Sequence, residues 1–236
     1  MNETWTLLSF GDMGWGDEIA RGFLVTVMLA LSTLPFGIIA GLALALAKRS
    51  DDWALKLSAD IYTTIFRGLP ELLTLFLVFY GGQAAINALA GAAGLPQFEV
   101  SAFLAGMLAL GFVFAAFSSE VFLSAFRAIP EGQEEAGRSL GLTRFQVLRL
   151  VTFPQLVRIA LPGLSNVWLN LLKDTALVSV IGLADIMRQT GVAARVTREP
   201  FLFFLLACVL YLALTFASAG VLSRVERWTK RGEAAR

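Results

Sequence analysis

Long stretches without a charged residue alternate with short polar ones along this chain. Gly22–Ala47, Leu72–Phe98, Val100–Ser119 and Pro200–Ser223 contain no Asp, Glu, Lys or Arg. A helix needs ~20 apolar residues to cross a hydrocarbon core, and each run supplies them. A further span is expected at Ile159–Asp185, where Lys173 and Asp174 interrupt an otherwise apolar sequence. The pattern predicts an all-α, polytopic membrane protein with five transmembrane helices, at about 19–47, 64–88, 100–127, 156–184 and 200–223. These make one transmembrane domain over 1–236, with a short frayed tail at Gly232–Arg236. The first run is too long for a signal-peptide core and has no basic segment before it, so it is expected to remain as a span.

One polar interruption stands out, Glu131 to Pro154, reading EGQEEAGRSLGLTRFQVLRLVTFP. A charged helix pattern follows Pro130, Gly141 breaks it, and Thr143 is placed to cap a second helix. Small residues at Ala136 and Gly137 would let a partner backbone approach, and Gly141 would permit a sharp turn. Leu140, Phe145, Val147 and Leu148 would offer an apolar face to a groove on another protein. The plainer alternative is an interfacial amphipathic helix that steadies the bundle.

Composition agrees with a membrane chain: 57% of the 236 residues are hydrophobic and the mean hydropathy is +0.71. The single cysteine, Cys208, lies in the last span and excludes a disulfide framework. There is no histidine, which removes the commonest metal ligand and acid–base group, so no metal site is expected. No G-x-x-x-x-G-K-[ST] sequence occurs, so the chain has no P-loop of its own for ATP. Neither a nucleophile elbow of the G-x-S-x-G kind nor an intramembrane catalytic pair is expected. A passive channel or scaffold would leave the polar insert without a purpose, and nothing points to nucleic acid.

The net charge of +1 says little, but its distribution says more. Residues 1–20 and Gly81–Val100 contain no Lys or Arg. The alternate segments are basic: Lys48, Arg49 and Lys56, then Arg127, Arg138, Arg144, Arg149 and Arg158, then Arg224, Arg227, Lys230, Arg231 and Arg236. The positive-inside rule then puts the N-terminus outside and the insert and C-terminus in the cytoplasm. Arg188, Arg195 and Arg198 run against that rule, in a segment that Gly191 and Pro200 mark as a broken or surface-lying helix.

Glu135-Ala136-Gly137, Gly141, Val151, Phe153 and Pro154 are spaced as E-A-A-x3-G-x9-[IV]-x-[LF]-P, and so resemble the EAA loop of bacterial ABC importer permeases. The resemblance covers roughly residues 17–228 and points to the polar amino acid permease family. Arg67-Gly68-Leu69-Pro70 with Phe79-Tyr80-Gly81, Ser119-Glu120-Val121-Phe122, Leu161-Pro162-Gly163 and Leu172–Ser179 all resemble elements of that family. Glu71, Asn166 with Trp168, and Arg198-Glu199-Pro200-Phe201 are most similar to its histidine/lysine/arginine/ornithine and opine branch. Gly137, in place of the usual second alanine, and Glu71, where many relatives are apolar, depart from the pattern. The resemblance implies a type I ABC importer permease with a cytoplasmic two-helix coupling loop at 131–154. Glu135, Ala136, Gly137, Gly141 and Thr143 would couple it to the ATPase. It further implies a polar, basic amino acid or an opine as cargo, with glutamine, glutamate or another polar amino acid as the alternative. The implied partners are a second permease subunit, two ABC ATPase subunits and a periplasmic substrate-binding protein, in a bacterial inner membrane with the N-terminus periplasmic. No cofactor belongs to this chain; ATP and Mg would sit in the ATPase.

Charges at membrane depth are expensive and are read first as functional. Asn166, Asn170 and Lys173, at i, i+4 and i+7, would share one side of span four and line a pathway with Glu71 and Asp174. Lys173 and Asp174 stand about 100° apart on a helix, and so are not expected to face that side equally. Lys173 has three available partners, Glu71, Glu120 or a substrate carboxylate, beside the plainer reading of an internal ion pair. Glu71 follows Arg67 by four residues, the spacing of a helical ion pair. Arg67 and Glu120 are read as gating or structural groups. Gly37 and Gly41 have the spacing of a close-packing seam.

Overall fold

The computed structural model describes residues 6–11 and 13–230; the tail at Gly232–Arg236 lies outside them. Five of its helices are long and apolar enough to cross a membrane. Helix α1, Gly16–Lys48, carries Asp17 and Glu18 in its first turn and Lys48 in its last, matching the signs of the helix dipole. Pro35 lies inside it, and the Thr33 hydroxyl donates to the Leu29 carbonyl at 2.8 Å beside that interruption.

Helix α2, Trp53–Gly68, is capped by Asp52, whose carboxylate accepts from the amides of Ala54 (2.9 Å) and Leu55. It stops because Leu69 precedes Pro70 and is driven into the extended region, φ −87° and ψ 141°. The second span therefore starts at Glu71 and not near 64. It is α3, Glu71–Ala92, with a widened π turn at Leu77–Gly81. Helix α4, Ala102–Ala128, is the central element of the bundle, with fourteen buried residues from Ala105 to Phe126.

The polar insert opens with α5, Glu131–Ser139. Its second helix is not a separate short piece ending at Pro154. It begins at Arg144, passes through a π turn at Leu148–Thr152, and runs on as the fourth span to Asp174. The last part, Thr175–Ile181, tightens to 3-10 geometry, and we call the whole α6, Arg144–Ile181. Pro154 follows a π turn in which the Phe153 amide reaches back to the Leu148 carbonyl, so the proline sits where the helix is already widened. Helix α7, Ile186–Thr197, lies between spans four and five; Gly191 does not break it, and Ile186, Thr190, Ala193 and Ala194 are buried, so it is neither broken nor wholly at the surface. Helix α8, Pro200–Lys230, is the fifth span.

Glycines set the spacing of the core. A side chain at Gly37 would strike the Phe114 ring, one at Gly41 would strike Ser118, and one at Gly111 would strike the Phe36 ring. Aromatic rings of α1 and α4 thus fill each other's gaps along the Gly37–Gly41 seam, and Ser118 Oγ donates to the Gly37 carbonyl at 3.3 Å. Backbones this close are how helices gain packing where lipid supplies no hydrophobic drive.

Helix α7 is pinned to α1 by a buried polar junction. The Asp185 carboxylate caps it by accepting the Arg188 amide at 2.8 Å, and the Ile186 amide donates to Thr26 Oγ1 at 3.2 Å. Gly22 packs against the Asp185 carbonyl, where a Cβ would come within 2.7 Å. Asp185 is 0% exposed and its Oδ2 has no partner. Burial pushes its carboxyl up to about 6 from an ordinary 3.8. The folded state holds this proton more tightly than the unfolded chain does. Ionisation therefore destabilises the fold, by nothing below pH ~4, progressively between 4 and 6, and fully above 6. Asp185→Asn keeps an oxygen for the cap and removes the charge. It is expected to raise the thermal midpoint in detergent at pH 7.5, by up to roughly 3 kcal/mol of stability, and to match wild type at pH 4.5. A midpoint difference that does not change with pH would contradict this.

Candidate functional site

Two places in the bundle carry the residues singled out by sequence. The first is the insert. Gly141 adopts φ +81°, a left-handed turn, with its amide on the Arg138 carbonyl at 2.9 Å and the Leu142 amide on the Gly137 carbonyl at 3.2 Å. Thr143 caps the next helix through a capping box: it accepts the Gln146 amide at 3.3 Å, and the Gln146 side chain accepts the Thr143 amide at 2.8 Å.

Small size at residue 137 serves the loop itself. Gly137 is buried against Val147 and Val151, where a Cβ would sit 3.0 Å from Val147 Cγ2. Glu135 and Ala136 are exposed. The apolar residues divide in the same way: Val147 is buried and Leu148 packs on the core, whereas Leu140 is 82% and Phe145 68% exposed. Only the last two face outward as an apolar pair. Glu134 ties the loop to the spans, between Arg49 at 3.6 Å and Arg138 at 3.7 Å.

Residues 137–141, Gly-Arg-Ser-Leu-Gly, do spell G-x-S-x-G, against the expectation that no such spacing occurs. The Ser139 hydroxyl donates to the Glu135 carbonyl at 3.0 Å in the last turn of α5, with no strand before it and no histidine in the chain. It is a spelled motif without the elbow or the base that would activate it.

The second place is a cavity of about 290 Å³, at the small end of the ~300–1,000 Å³ of ligand sites. Glu71 enters it from the start of α3, and Asn170, Lys173 and Asp174 from α6; Val113, Phe114 and Phe117 of α4 supply apolar wall. Lys173 and Asp174 both line it, although they stand about 100° apart on the helix. Asn166 is exposed and is not part of the lining.

No ion pair closes this cavity among the described residues. Lys173 Nζ donates to Asn170 Oδ1 at 3.4 Å, and it is paired with neither Glu71 nor Glu120. Glu71 is not paired with Arg67 either, since Pro70 breaks the helix between them and removes the i, i+4 geometry. Asp174 is close enough to both Glu71 and Lys173 to feel their charges. Two acids and one base thus face a partly apolar space with their charges uncommitted.

Glu120 belongs to a different network. Lys48, whose side chain is 6% exposed, reaches Glu120 Oε1 at 2.6 Å and Asp60 Oδ1 at 3.3 Å; Arg67 Nη1 meets the same Glu120 oxygen at 3.3 Å. These four groups cross-link α1, α2 and α4. The Arg67 guanidinium also lies 5.7 Å from the Phe117 ring centre, so the network adjoins the cavity wall. Asp60 and Lys48 were not foreseen as partners, since their separation in sequence hides their contact.

Residues 33–231 match the family described as binding-protein-dependent transport system inner membrane component. The nopaline transport system permease protein of Agrobacterium fabrum (strain C58 / ATCC 33970) is 45% identical over 229 residues, 96% of this chain and 97% of that protein. The histidine/lysine/arginine/ornithine transport system permease protein of Escherichia coli (strain K12) is 42% identical over 214 residues, 91% of this chain and 94% of that protein. The octopine transport system permease protein of Rhizobium meliloti is 40% identical over 227 residues, 96% of each. The crystal structure of an amino acid ABC transporter with histidines superposes with a TM-score of 0.76 at 32% identity, covering 90% of this chain and 94% of that one. An inward-facing methionine ABC transporter shares the fold at a TM-score of 0.70 and 19% identity, over 90% of this chain and 96% of that one.

Proposed function

The chain belongs to the family of binding-protein-dependent transport system inner membrane components, and on that premise we propose that it carries a basic amino acid or an opine through the cavity at Glu71, Lys173 and Asp174. It is the permease, not the ATPase, of an ABC importer, and a multi-pass inner-membrane protein with five spans.

The observation that favours a basic amino acid within that class is the charge of the cavity. An α-amino acid brings one carboxylate and one ammonium, and a basic one adds a second cation. Lys173 suits the carboxylate, and Glu71 and Asp174 suit two cations. A neutral amino acid such as glutamine would leave one acid uncompensated in a partly apolar site, which is unfavourable. Phe114 and Phe117 offer apolar wall to the methylene stem.

In this reading the N-terminus is periplasmic and the insert cytoplasmic, as the basic segments require. A second permease subunit completes the pathway. Two ATPase subunits, holding ATP and Mg, each grip one insert through Leu140 and Phe145. A periplasmic binding protein delivers substrate. ATPase closure moves α5, and because α6 runs unbroken from Arg144 into the span, the same displacement reaches Lys173 and Asp174 as a rigid-body shift. The test is ATP-driven uptake into proteoliposomes holding the whole complex. Labelled arginine or ornithine should accumulate, and glutamine should compete at least about 100-fold more weakly, the effect of one unpaired buried charge. Equal competition by glutamine would overturn the cargo assignment and leave the importer assignment standing.

A further inference from the structure

Arg188, Arg195 and Arg198 contradict the charge rule that orients the rest of the chain, and the transport path makes no use of them. All three are exposed, and none forms an ion pair among the described residues. Arg188 is partly held, donating from Nη1 to the Ser179 carbonyl at 3.4 Å and lying in the field of Asp185. Arg195 and Arg198 have no comparable anchor. Arg188 and Arg195 are seven residues apart, two turns, and so share a face of α7.

The other face is clamped. Ile186 and Ala193 are 0% exposed and Ala194 4%, and the Asp185 cap and the Thr26 contact hold the helix start. This gives a rigid platform whose outward surface is basic. Arg198 ends α7 in the left-handed region, φ 60° and ψ 27°, at about 1 kcal/mol for a residue with a Cβ, where glycine is the relaxed choice. An arginine in that conformation points to a use for its side chain. Beside the charges, Val196 is 66% exposed. Arginine beside an exposed apolar residue is in keeping with a protein interface.

We propose that this face of α7 docks an acidic patch on the periplasmic binding protein that delivers substrate. The proposal rests on the orientation and the partner given under Proposed function. All three cations are arginine and none is lysine, which suits bidentate pairing with carboxylates held in fixed positions. Loose attraction to anionic headgroups would be met as well by lysine, and needs no strained cap.

The experiment uses the complete transporter in phosphatidylcholine vesicles, and again in vesicles with one-third phosphatidylglycerol. The concentration of loaded binding protein that half-saturates ATP hydrolysis is measured in each. Arg195→Glu with Arg198→Glu is expected to raise it by at least about ten-fold in both vesicles, with the maximal rate retained. High salt should raise the wild-type value toward the variant's. Arg195→Lys with Arg198→Lys should recover only part of the affinity, because lysine keeps the charge but not the bidentate fork. If the glutamate pair does not assemble, the glutamine pair is read by the same criterion, with a shift of about three-fold or more expected. An unchanged half-saturation overturns the proposal, and a shift confined to phosphatidylglycerol vesicles assigns the face to lipid. If no binding protein stimulates the wild type, it is the functional reading beneath the proposal that fails.

Discussion

Replacing Leu140 and Phe145 together by aspartate is expected to abolish binding-protein-stimulated ATP hydrolysis and uptake while leaving the permease folded. Both side chains are largely exposed and support nothing inside the chain, so their loss should not unfold it. They flank the left-handed turn at Gly141 and are the two most exposed large apolar side chains among the described residues of the insert. Burying two such side chains on a partner contributes roughly 3–6 kcal/mol, which is two to four decades of affinity. Aspartate forfeits that and adds two charges to be desolvated. The measurement is co-purification of the ATPase with the detergent-solubilised variant, alongside its thermal midpoint. Retained co-purification at an unchanged midpoint would show that the ATPase grips elsewhere. Val147→Asp serves as the contrast: that residue is 2% exposed, so its replacement should destabilise the permease itself.

The second large effect concerns selectivity. Glu71→Gln with Asp174→Asn should reduce arginine uptake by about 10²–10⁴-fold, since each charge-assisted hydrogen bond to a cation is worth roughly 1.5–3 kcal/mol. Transport of citrulline, which has the same length and no charge on its side chain, should fall less or rise. Lys173→Met should instead depress all amino acids alike, because every one carries the carboxylate that Lys173 is proposed to hold. The check is KM for arginine and citrulline in the wild type and the two variants. Equal losses for both substrates in the double variant would mean that the two acids hold the cavity together and do not read the cargo.

How far these outcomes could be anticipated from sequence differs between the two sites. The insert was legible almost entirely. A Gly at a left-handed turn, a Thr with Gln three residues on, and a proline at a helix start are local rules that need no knowledge of the rest of the chain. What was misread there was direction. Gly137 is small to admit Val147 and Val151 of its own helix pair, and the second helix continues into the membrane where Pro154 suggested a stop. The cavity was half legible. Glu71, Asn170, Lys173 and Asp174 stand out as charged or polar groups in apolar surroundings, but helical spacing assigned Arg67 to Glu71 across a break that Pro70 makes.

By itself the sequence determined the class, the five spans, the capped two-helix insert and the family, because length, hydropathy and capping are properties of contiguous residues. The tertiary structure alone decided which charges are neutralised and which are left to act. Glu120 is committed to Lys48 and Arg67, 72 and 53 residues away along the chain, while Glu71 and Asp174 face one cavity with no ion pair among the described residues. Coulomb energy and desolvation depend on distance in space, and the break at Pro70 together with the glycine seam of α1 and α4 sets those distances.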